Sequence, residues 1–240
     1  MCRMLLYHSK YERVIPKKYS EGLVNIAKKG LSAKCGIGPH NNGFGIAWIT
    51  EEGLGIYKSI RPIWEEELPS RTSLLTIIHA RKLSIGRRIL NDTQPFFRDG
   101  LILTHNGTIF SFKRNPVDHI PQGGTDSEKF LCILADIYDI SKDLLEATLK
   151  ALKEIELATA INLFIVSLDE KRVLVVNLFY KTPMACPDYF TLWMKVMKDE
   201  LLIASEPLDE KNWIPLSTEI GRPTIVDMRI GEPQNYRIIW

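Results

Sequence analysis

The segment Leu103-Thr104-His105-Asn106-Gly107-Thr108-Ile109 joins two short apolar runs through an Asn-Gly pair. Asn-Gly between apolar runs is a strong signal for a two-residue hairpin turn, with strands over 101–104 and 108–111. A sharp bend can also aim the side-chain amide of Asn106 and the backbone N–H of Gly107 at one point. Such donors form an oxyanion hole, in which one donor is worth roughly 3–4 kcal/mol of barrier. The segment predicts either a surface turn or a site that holds a developing negative charge.

Around this segment, runs rich in β-branched and aromatic residues alternate irregularly with amphipathic stretches. Helices are predicted over 18–29, 127–138 and 142–155. Strands are predicted over 2–7, 44–49, 54–60, 74–80, 101–104, 108–111, 160–167, 172–180, 189–195, 200–204, 224–228 and 235–239. Turn signals such as Asp169-Glu170-Lys171 lie between adjacent strands, which favours antiparallel pairing. No linker divides the chain, so we expect one α+β domain over 1–240, with mainly antiparallel sheets.

Composition excludes several classes of protein. With 45% hydrophobic and 25% charged residues in 240, the chain resembles an ordinary globular protein. The 31 basic and 29 acidic side chains give a net charge of +2, which offers no strong attraction to nucleic acid. The sequence has no apolar run of 18 residues, and its N-terminal apolar stretch is too short for a signal peptide. We therefore expect a cytoplasmic protein without a nucleic-acid or membrane partner.

The four cysteines are spread over the chain without a C-x-x-C pair; they are Cys2, Cys35, Cys132 and Cys186. This pattern is unlike a secreted disulfide scaffold and predicts reduced thiols. Cys35 and His40 lie close in sequence, but no second ligand pair has zinc-like spacing, so no metal is expected. The glycine-rich turn over 40–48 lacks the residues of a phosphate loop. Its glycines are predicted to let a strand start beneath another backbone.

Cys2 follows the initiator methionine, which is generally removed before a small second residue. The mature chain would then begin with a thiol and an α-amine on one residue. The reference pKa of an α-amine is about 7.7–8.0, so a useful fraction is neutral at pH 7. A neutral amine beside a thiol can act as its general base. The alternative is a small buried residue at the start of an edge strand.

A basic cluster follows the strand predicted over 74–80. Arg81 can clamp a substrate carboxylate, because a planar guanidinium binds a carboxylate through two hydrogen bonds. Ser84 can donate its hydroxyl to the same carboxylate. The alternative is a strand that emerges into solvent, with hydrated charges at Arg81, Lys82, Arg87 and Arg88.

The segment Gly123-Gly124-Thr125-Asp126-Ser127-Glu128 precedes the second predicted helix. Thr125 and Glu128 have the spacing of a helix capping box, which explains most of the segment structurally. The paired glycines also allow close approach of a ligand to the backbone. Asp126 is not needed for the box and can hold an ammonium group. Both interpretations remain open.

Taken together and in this order, five features resemble class II glutamine amidotransferases. They are Cys2, Gly43-Phe44-Gly45, His79-x-Arg81, His105-Asn106-Gly107 and Thr125-Asp126-Ser127-Glu128. The resemblance spans residues 2 to about 140. Ala204-Ser205-Glu206-Pro207-Leu208 further resembles a late segment of the stand-alone members. The family is one of N-terminal nucleophile hydrolases, which implies a four-layer αββα sandwich over 1–240 with no room for a fused synthetase domain.

The resemblance implies a role for each candidate residue. Cys2 Sγ would attack the side-chain amide of glutamine while the α-amine takes the proton. Asn106 and Gly107 would hold the oxyanion. Arg81 and Ser84 would bind the α-carboxylate and Asp126 the α-ammonium group. Ammonia would leave, water would hydrolyse the γ-glutamyl thioester, and no cofactor would be needed.

Three positions depart from the family pattern. Lys82 stands where the synthetase-linked relatives have an aromatic residue, and Ser84 replaces a threonine but keeps the hydroxyl. Gln94-Pro95 replaces a histidine-proline pair, so that histidine's role is in doubt here. The nucleophile and oxyanion positions are all present, which predicts activity without fixing free glutamine as the preferred substrate.

Three functions remain open from the sequence. The first is glutamine hydrolysis, with ammonia released or passed to a separate synthetase partner. The second is hydrolysis of another γ-glutamyl amide or peptide by the same residues. The third is a binding or regulatory subunit that keeps the fold without catalysis. The expected partners are a small-molecule substrate, an ammonia-accepting synthetase and a second copy of the chain in a homodimer.

Overall fold

The computed structural model describes residues 2–31, 35–180, 187–217 and 219–240. Its strands form two antiparallel sheets. The first contains β1 (Arg3–Arg13), β2 (Phe44–Ile49), β3 (Leu54–Ser59), β4 (Ser73–Ala80), β9 (Trp193–Val196), β10 (Glu200–Ala204) and β11 (Ile214–Pro215). The second contains β5 (Phe96–Arg98), β6 (Leu101–Phe112), β7 (Ile155–Ser167), β8 (Arg172–Asn177), β12 (Thr224–Arg229) and β13 (Tyr236–Ile239). Within the described residues, the strand orders are β11-β9-β10-β1-β4-β2-β3 and β13-β12-β8-β7-β6-β5.

Three helices cover the outer faces of the sheets in the described part of the chain: α1 (Lys17–Lys28), α2 (Asp126–Ser141) and α3 (Leu144–Lys153). Helix α1 packs on the first sheet through Tyr19, Leu23 and Ala27. Helices α2 and α3 pack on the outer face of the second sheet. A third apolar cluster fills the space between the two sheets. The layers therefore run helix, sheet, sheet, helix, which confirms the predicted α+β class and its four-layer αββα arrangement.

The first seven residues of β1 are buried on both faces because they lie inside this stack. Met4 and Leu6 belong to the cluster between the sheets, whereas Leu5 and Tyr7 pack towards α1. This alternation follows from the two-residue period of a strand. It means that even-numbered positions of β1 point into the space between the sheets.

The hairpin predicted at Asn106-Gly107 is wrong. Strands over 101–104 and 108–111 are one continuous strand, β6, which pairs with β7 through Asn106 opposite Asn162 and Gly107 opposite Ile161. The register shifts between Gly107 and Ile109, so the Asn-Gly pair sits at an irregularity of the sheet rather than at a turn. Pairing with the 13-residue partner strand satisfies the backbone and overrides the local turn preference.

Other differences concern short elements and one cysteine. The strand predicted over 189–195 starts only at Trp193, after a single 3-10 turn at Pro187–Phe190, and the one over 172–180 ends at Asn177. Two short strands, β5 and β11, were not predicted. Cys35 is disulfide-bonded, contrary to the expectation of reduced thiols, whereas Cys2 and Cys132 are free. Cys186 and most of the turn predicted over 183–187 lie outside the described residues.

Gly107 occupies a position that no other residue fits. Its φ of +155° lies in a region that favours glycine, and a Cβ there would overlap the carbonyl oxygen of Ala160. Gly53 has a similar φ of +143° but has nothing within 4 Å of the place a Cβ would take.

We expect Gly107→Ala to lower the free energy of unfolding by clearly more than Gly53→Ala. The Gly53 variant carries backbone strain alone, about 1–3 kcal/mol, while the Gly107 variant must also displace β7. Urea unfolding of the two alanine variants and the wild type measures the difference. Equal losses would show that the close approach to Ala160 has no energetic consequence.

Candidate active site

Three strands bring polar side chains to one end of the space between the sheets. Met4, Ile77 and Ile102 point into this space from β1, β4 and β6. The two-residue period then places polar residues on the same inner face. These residues are Cys2, His79, Thr104 and Asn106, and all four are buried. A large apolar cluster fills the middle of this layer, so its polar end is a candidate site.

Cys2 and Asn106 are in direct contact. The backbone N–H of Cys2 donates a hydrogen bond to Asn106 Oδ1 at 2.5 Å. The other end of the amide, Asn106 Nδ2, is buried and has no hydrogen-bond partner within the described ranges. Buried polar groups are nearly always paired, so this N–H donor is suited to a ligand. The arrangement suits an oxyanion beside the thiol.

The Cys2 thiol is 5% exposed, and Sγ donates to the carbonyl oxygen of Lys82 at 3.8 Å. Burial by itself would raise the pKa of this thiol. Electrostatic interactions with His79 and with the charged N-terminus, together with hydrogen bonding to the backbone of Lys82, outweigh burial and lower the pKa of the thiol to about 6. A thiol with such a pKa is largely a thiolate at pH 7, which is the nucleophilic form. Burial raises the pKa of the other free thiol, Cys132, to about 11.

The segment after the tenth strand holds β1 in place. Ser205 Oγ accepts a hydrogen bond from the Met4 backbone N–H at 2.9 Å. Arg3, which is fully buried, places Nη2 2.8 Å from Glu206 Oε1. The segment Ala204-Ser205-Glu206-Pro207-Leu208, singled out by resemblance, therefore anchors the strand that carries Cys2.

Arg81 is held by the loop that follows it. Its two terminal nitrogens donate to the carbonyl oxygens of Arg87, at 2.6 Å, and Ile85, at 3.2 Å. A guanidinium has five N–H donors, so these two bonds leave others for a ligand. Arg81 is buried, which excludes the alternative of a freely hydrated surface charge.

Asp92 ties two loops together beside Arg81. Its carboxylate accepts hydrogen bonds from the backbone N–H of Arg87 at 2.5 Å and of Gly124 at 2.9 Å. Gly86, with φ of +92°, lets the first loop pass close to this carboxylate. Asp92 is fully buried in a 3-10 turn at Leu90–Asp92. It therefore fixes the loop whose carbonyls hold the guanidinium.

Asp126 is the first residue of α2 and is bonded to the backbone of β6. Its Oδ2 accepts the Ile109 N–H at 2.7 Å and lies 4.0 Å from His105 Nδ1. Half of the predicted capping box is present, since the Glu128 N–H donates to Thr125 Oγ1 at 3.1 Å. The Glu128 carboxylate instead accepts the N–H groups of Gln122 and Gly123. Asp126 takes no part in the capping box and lines the cavity, as the interpretation that it holds an ammonium group requires.

Gln94 connects the outer face of β6 to α2. Its Oε1 accepts the His105 backbone N–H at 2.5 Å, and its Nε2 donates to Ser127 Oγ at 3.2 Å. Ser127 Oγ also lies 2.9 Å from His105 Nδ1. Burial lowers the pKa of His105, which keeps this imidazole neutral. Gln94 thus holds the backbone one residue before Asn106.

Five of the six predicted site residues line one small cavity. They are Cys2, Arg81, Ser84, Gly107 and Asp126, and Asn106 is joined to them through its bond to Cys2. The enclosed space is about 10 Å³, close to what one water molecule needs. Ser84 is exposed at the rim.

Sequence reasoning missed three residues of this site as candidates. His79 was named only as part of the motif His79-x-Arg81. Its position near the end of the strand that leads to Arg81 was a signal that could have identified it. Gln94 appeared only as a departure from the family. Asp92 had no signal in the sequence, because its role depends on contacts between two loops 32 residues apart. Gly45 behaves as predicted: a Cβ there would overlap the Gln94 carbonyl oxygen, so the strand passes beneath another backbone.

The model of the family "Glutamine amidotransferases class-II" matches residues 23–166. The chain belongs to this family. It is 29% identical over 110 residues to "Putative glutamine amidotransferase YafJ" of Escherichia coli, covering 41% of this chain and 43% of that protein. It is 32% identical over 109 residues to "Putative glutamine amidotransferase" of Haemophilus influenzae, covering 40% of this chain and 37% of that protein. The aligned parts thus span less than half of either relative.

Solved structures share the fold at low identity. The chain matches glutamine phosphoribosylpyrophosphate amidotransferase from B. subtilis with a TM-score of 0.64 and 18% identity, over 99% of this chain and 49% of that one. It matches a structure titled as a predicted glutamine amidotransferase from Pseudomonas aeruginosa with a TM-score of 0.62 and 18% identity, over the full length of both chains. The fold is that of the N-terminal nucleophile amidotransferases. Among the described helices, none has the length and apolar character needed to span a membrane.

Proposed function

We propose that this protein hydrolyses the side-chain amide of glutamine to glutamate and ammonia through a γ-glutamyl thioester on Cys2. One observation carries the proposal: a thiol with a pKa of about 6 lies beside an unpartnered buried amide donor, Asn106 Nδ2. A nucleophile next to a free N–H donor is what acyl transfer through a tetrahedral intermediate requires. Membership of the class II family supports the same chemistry.

The proposed reaction begins when the Cys2 thiolate attacks the amide carbon. The oxyanion that forms is held by Asn106 Nδ2 and the Gly107 N–H. The C–N bond then breaks, and the leaving nitrogen takes the proton that the N-terminal amine accepted from the thiol and departs as ammonia. Water then hydrolyses the thioester to glutamate. Removal of Met1 would turn the Cys2 nitrogen, which is bonded to Asn106 Oδ1, into an α-amine that can serve as a base. Ammonia is then released or passed to a separate protein.

The ends of a glutamine zwitterion match the charges of the cavity. The guanidinium of Arg81 suits the α-carboxylate, with the Ser84 hydroxyl as a second donor at the rim. The carboxylate of Asp126 suits the α-ammonium group. Binding a zwitterion needs one cation and one anion at fixed places, and it does not need a large net charge on the protein.

A second candidate keeps this chemistry with another γ-glutamyl amide or peptide as substrate. The residues proposed to bind the glutamyl head, Arg81 and Asp126, do not contact the leaving group, so they serve either substrate. A purified preparation should be checked by intact mass for the loss of Met1 and assayed for ammonia from glutamine and for amine from γ-glutamyl peptides. Release from glutamine supports the first candidate, and a clear preference for γ-glutamyl peptides supports the second. No turnover of either would leave only the third candidate, a non-catalytic subunit.

We expect Arg81→Lys to raise KM for glutamine by about tenfold or more and to change kcat much less. A lysine keeps the charge but loses the two-pronged carboxylate geometry, while the nucleophile stays in place. Steady-state ammonia release at varied glutamine measures both constants. Arg88→Lys is the matched control, because Arg88 is exposed and its Nε bonds only the Ile60 carbonyl oxygen among the contacts described. An unchanged KM for Arg81→Lys would contradict the carboxylate role.

A further inference from the structure

A second pocket, of about 310 Å³, is separate from the cavity at Cys2, and no described residue lines both. Its walls come from β3 and β5, which are edge strands of the two sheets among the described strands, and from the start of α2. The charged residues that line it are Lys58, Arg98, Asp99 and Glu128. Ligand sites have volumes of about 300–1,000 Å³, so this pocket can hold a small organic molecule. The proposed reaction does not use it.

Lys58 is a half-buried cation on β3 without a counter-charge in contact with it. Its side chain makes neither a hydrogen bond nor an ion pair with any described residue. The nearest group described for it is the ring of Phe96, whose centre lies 5.3 Å from Nζ and attracts a cation only weakly. Burial lowers the pKa of Lys58 to about 8, so the amine still carries its charge at pH 7. Its three N–H donors therefore lack an acceptor in the described part of the chain.

Arg98, on β5, is the second cation of the pocket. Its Nη2 lies 3.8 Å from Glu128 Oε1, which is too long for a hydrogen bond. Its Nε is buried and has no hydrogen-bond partner within the described ranges. Buried N–H groups are nearly always paired, and a guanidinium has five of them. Arg98 therefore also has donors that the described residues do not use.

The two carboxylates of the pocket, in contrast, have partners. Glu128 accepts the backbone N–H groups of Gln122 at 2.9 Å and Gly123 at 2.7 Å. Asp99 Oδ2 lies 3.2 Å from His119 Nε2. The pocket thus has unused donors on two cations, while its acceptors are engaged. Such a surplus suits a ligand that supplies several acceptor oxygens and a negative charge.

We propose that this pocket binds a small organic anion, whose carboxylate or phosphoryl group is held by the ammonium group of Lys58 and the guanidinium of Arg98. A guanidinium can bind either group through two parallel hydrogen bonds, and an ammonium group adds a compact point charge. The half-exposed ring of Phe97 at the same pocket offers apolar surface to the body of the ligand. The site does not depend on the proposed function, because none of its lining residues takes part in the reaction at Cys2.

The test is an NMR titration of the full chain with two probes at constant ionic strength. Inorganic sulfate stands in for a phosphoryl group, and benzoate is a carboxylate with an apolar body. We expect saturable shifts of the backbone amides of Lys58, Arg98 and Gln122 with at least one probe. Saturation by sulfate alone would assign a phosphoryl ligand, and saturation by benzoate alone would assign a carboxylate; either supports the site.

The variants Lys58→Gln and Arg98→Gln should each raise the Kd of the bound probe by about tenfold or more, since each removes a charged donor. Lys113→Gln is the matched control. It removes the same charge from an exposed lysine just beyond the far end of β6, outside the pocket. Its Kd should equal that of the wild type. No saturable shift with either probe, or the same Kd in all four proteins, would overturn the proposal.

The pH dependence of binding needs no variant in the pocket. The ammonium form of Lys58 exists below its pKa, so affinity for sulfate should be full at pH 7 and should fall as the pH rises through 8 and above. The other charged groups that face Lys58 are the guanidinium of Arg98 and the carboxylates of Asp99 and Glu128. Groups of these two kinds ordinarily titrate outside this range.

We expect calorimetric titration of the wild type to give a Kd for the probe about fivefold or more higher at about pH 9.5 than at pH 7. A Kd that stays constant over this range would contradict the role of Lys58. Neither measurement uses glutamine or ammonia release, so failure of this inference leaves the proposed function standing, and absence of glutamine turnover leaves the anion site standing.

Discussion

We expect Cys2→Ala to abolish ammonia release from glutamine, with a loss of at least about 10⁴-fold. The variant removes the atom that forms the thioester and leaves the cavity otherwise intact, so no slower covalent route remains. Ammonia release and glutamate formation are measured on the same samples. Intact mass establishes whether residue 1 has been removed in each preparation.

The matched control for this variant is Cys132→Ala. Cys132 is the other free thiol among the described residues, and it is buried in α2. Its raised pKa keeps it as a neutral thiol at pH 7. Cys132→Ala should release ammonia at the wild-type rate despite some loss of stability. Equal activity in Cys2→Ala and the wild type would rule out Cys2 as the nucleophile.

We expect Asn106→Asp to lower kcat for glutamine by about 10²–10³-fold, the usual effect of losing one oxyanion donor. Aspartate has nearly the same shape as asparagine and keeps an oxygen to accept the Cys2 N–H. The change replaces only the Nδ2 donor, and it does so with an oxygen that repels an oxyanion. Because Nδ2 has no partner in the described part of the chain, its loss breaks no hydrogen bond that the structure describes.

The same variant separates catalysis from folding. Thermal unfolding of Asn106→Asp should remain cooperative at a somewhat lower Tm than that of the wild type, because a carboxyl group is buried there, and KM should change less than kcat. Ser111→Ala on the same strand provides a control without a role in the site. An unchanged kcat in Asn106→Asp would contradict the assignment of the oxyanion donor.

The layers of the fold follow from patterns that are local in the sequence. Helices α1, α2 and α3 lie within a few residues of the predicted ranges, because each has an apolar stripe of helical period. The hairpin wrongly predicted at Asn106-Gly107 shows where local sequence patterns fail. A turn signal describes the isolated dipeptide, whereas β7, which is more than 50 residues away, decides whether the backbone turns or continues.

The candidate site likewise contains residues that the sequence identifies and residues that only the folded structure reveals. Cys2, Asn106 and Gly107 stand out because their chemistry is unusual for their places in the chain. Asp92 does not stand out in the sequence, because an aspartate before a threonine is ordinary. Only the folded structure shows that its carboxylate hydrogen-bonds the backbone of both Arg87 and Gly124. Contacts in the structure also explain one departure from the family pattern, Gln94. The side-chain amide of Gln94 hydrogen-bonds both the backbone of β6 and Ser127, so it stabilises the strand that carries Asn106.

The covalent intermediate is the most direct test of the proposed chemistry. The protein is mixed with glutamine, quenched in acid within the first turnovers and digested, and the N-terminal peptide is examined by mass spectrometry. We predict a γ-glutamyl group on Cys2 that hydroxylamine removes as the hydroxamate, and no such group in Cys2→Ala. Rapid ammonia release in the wild type without a Cys2 adduct or hydroxamate would contradict a thioester mechanism.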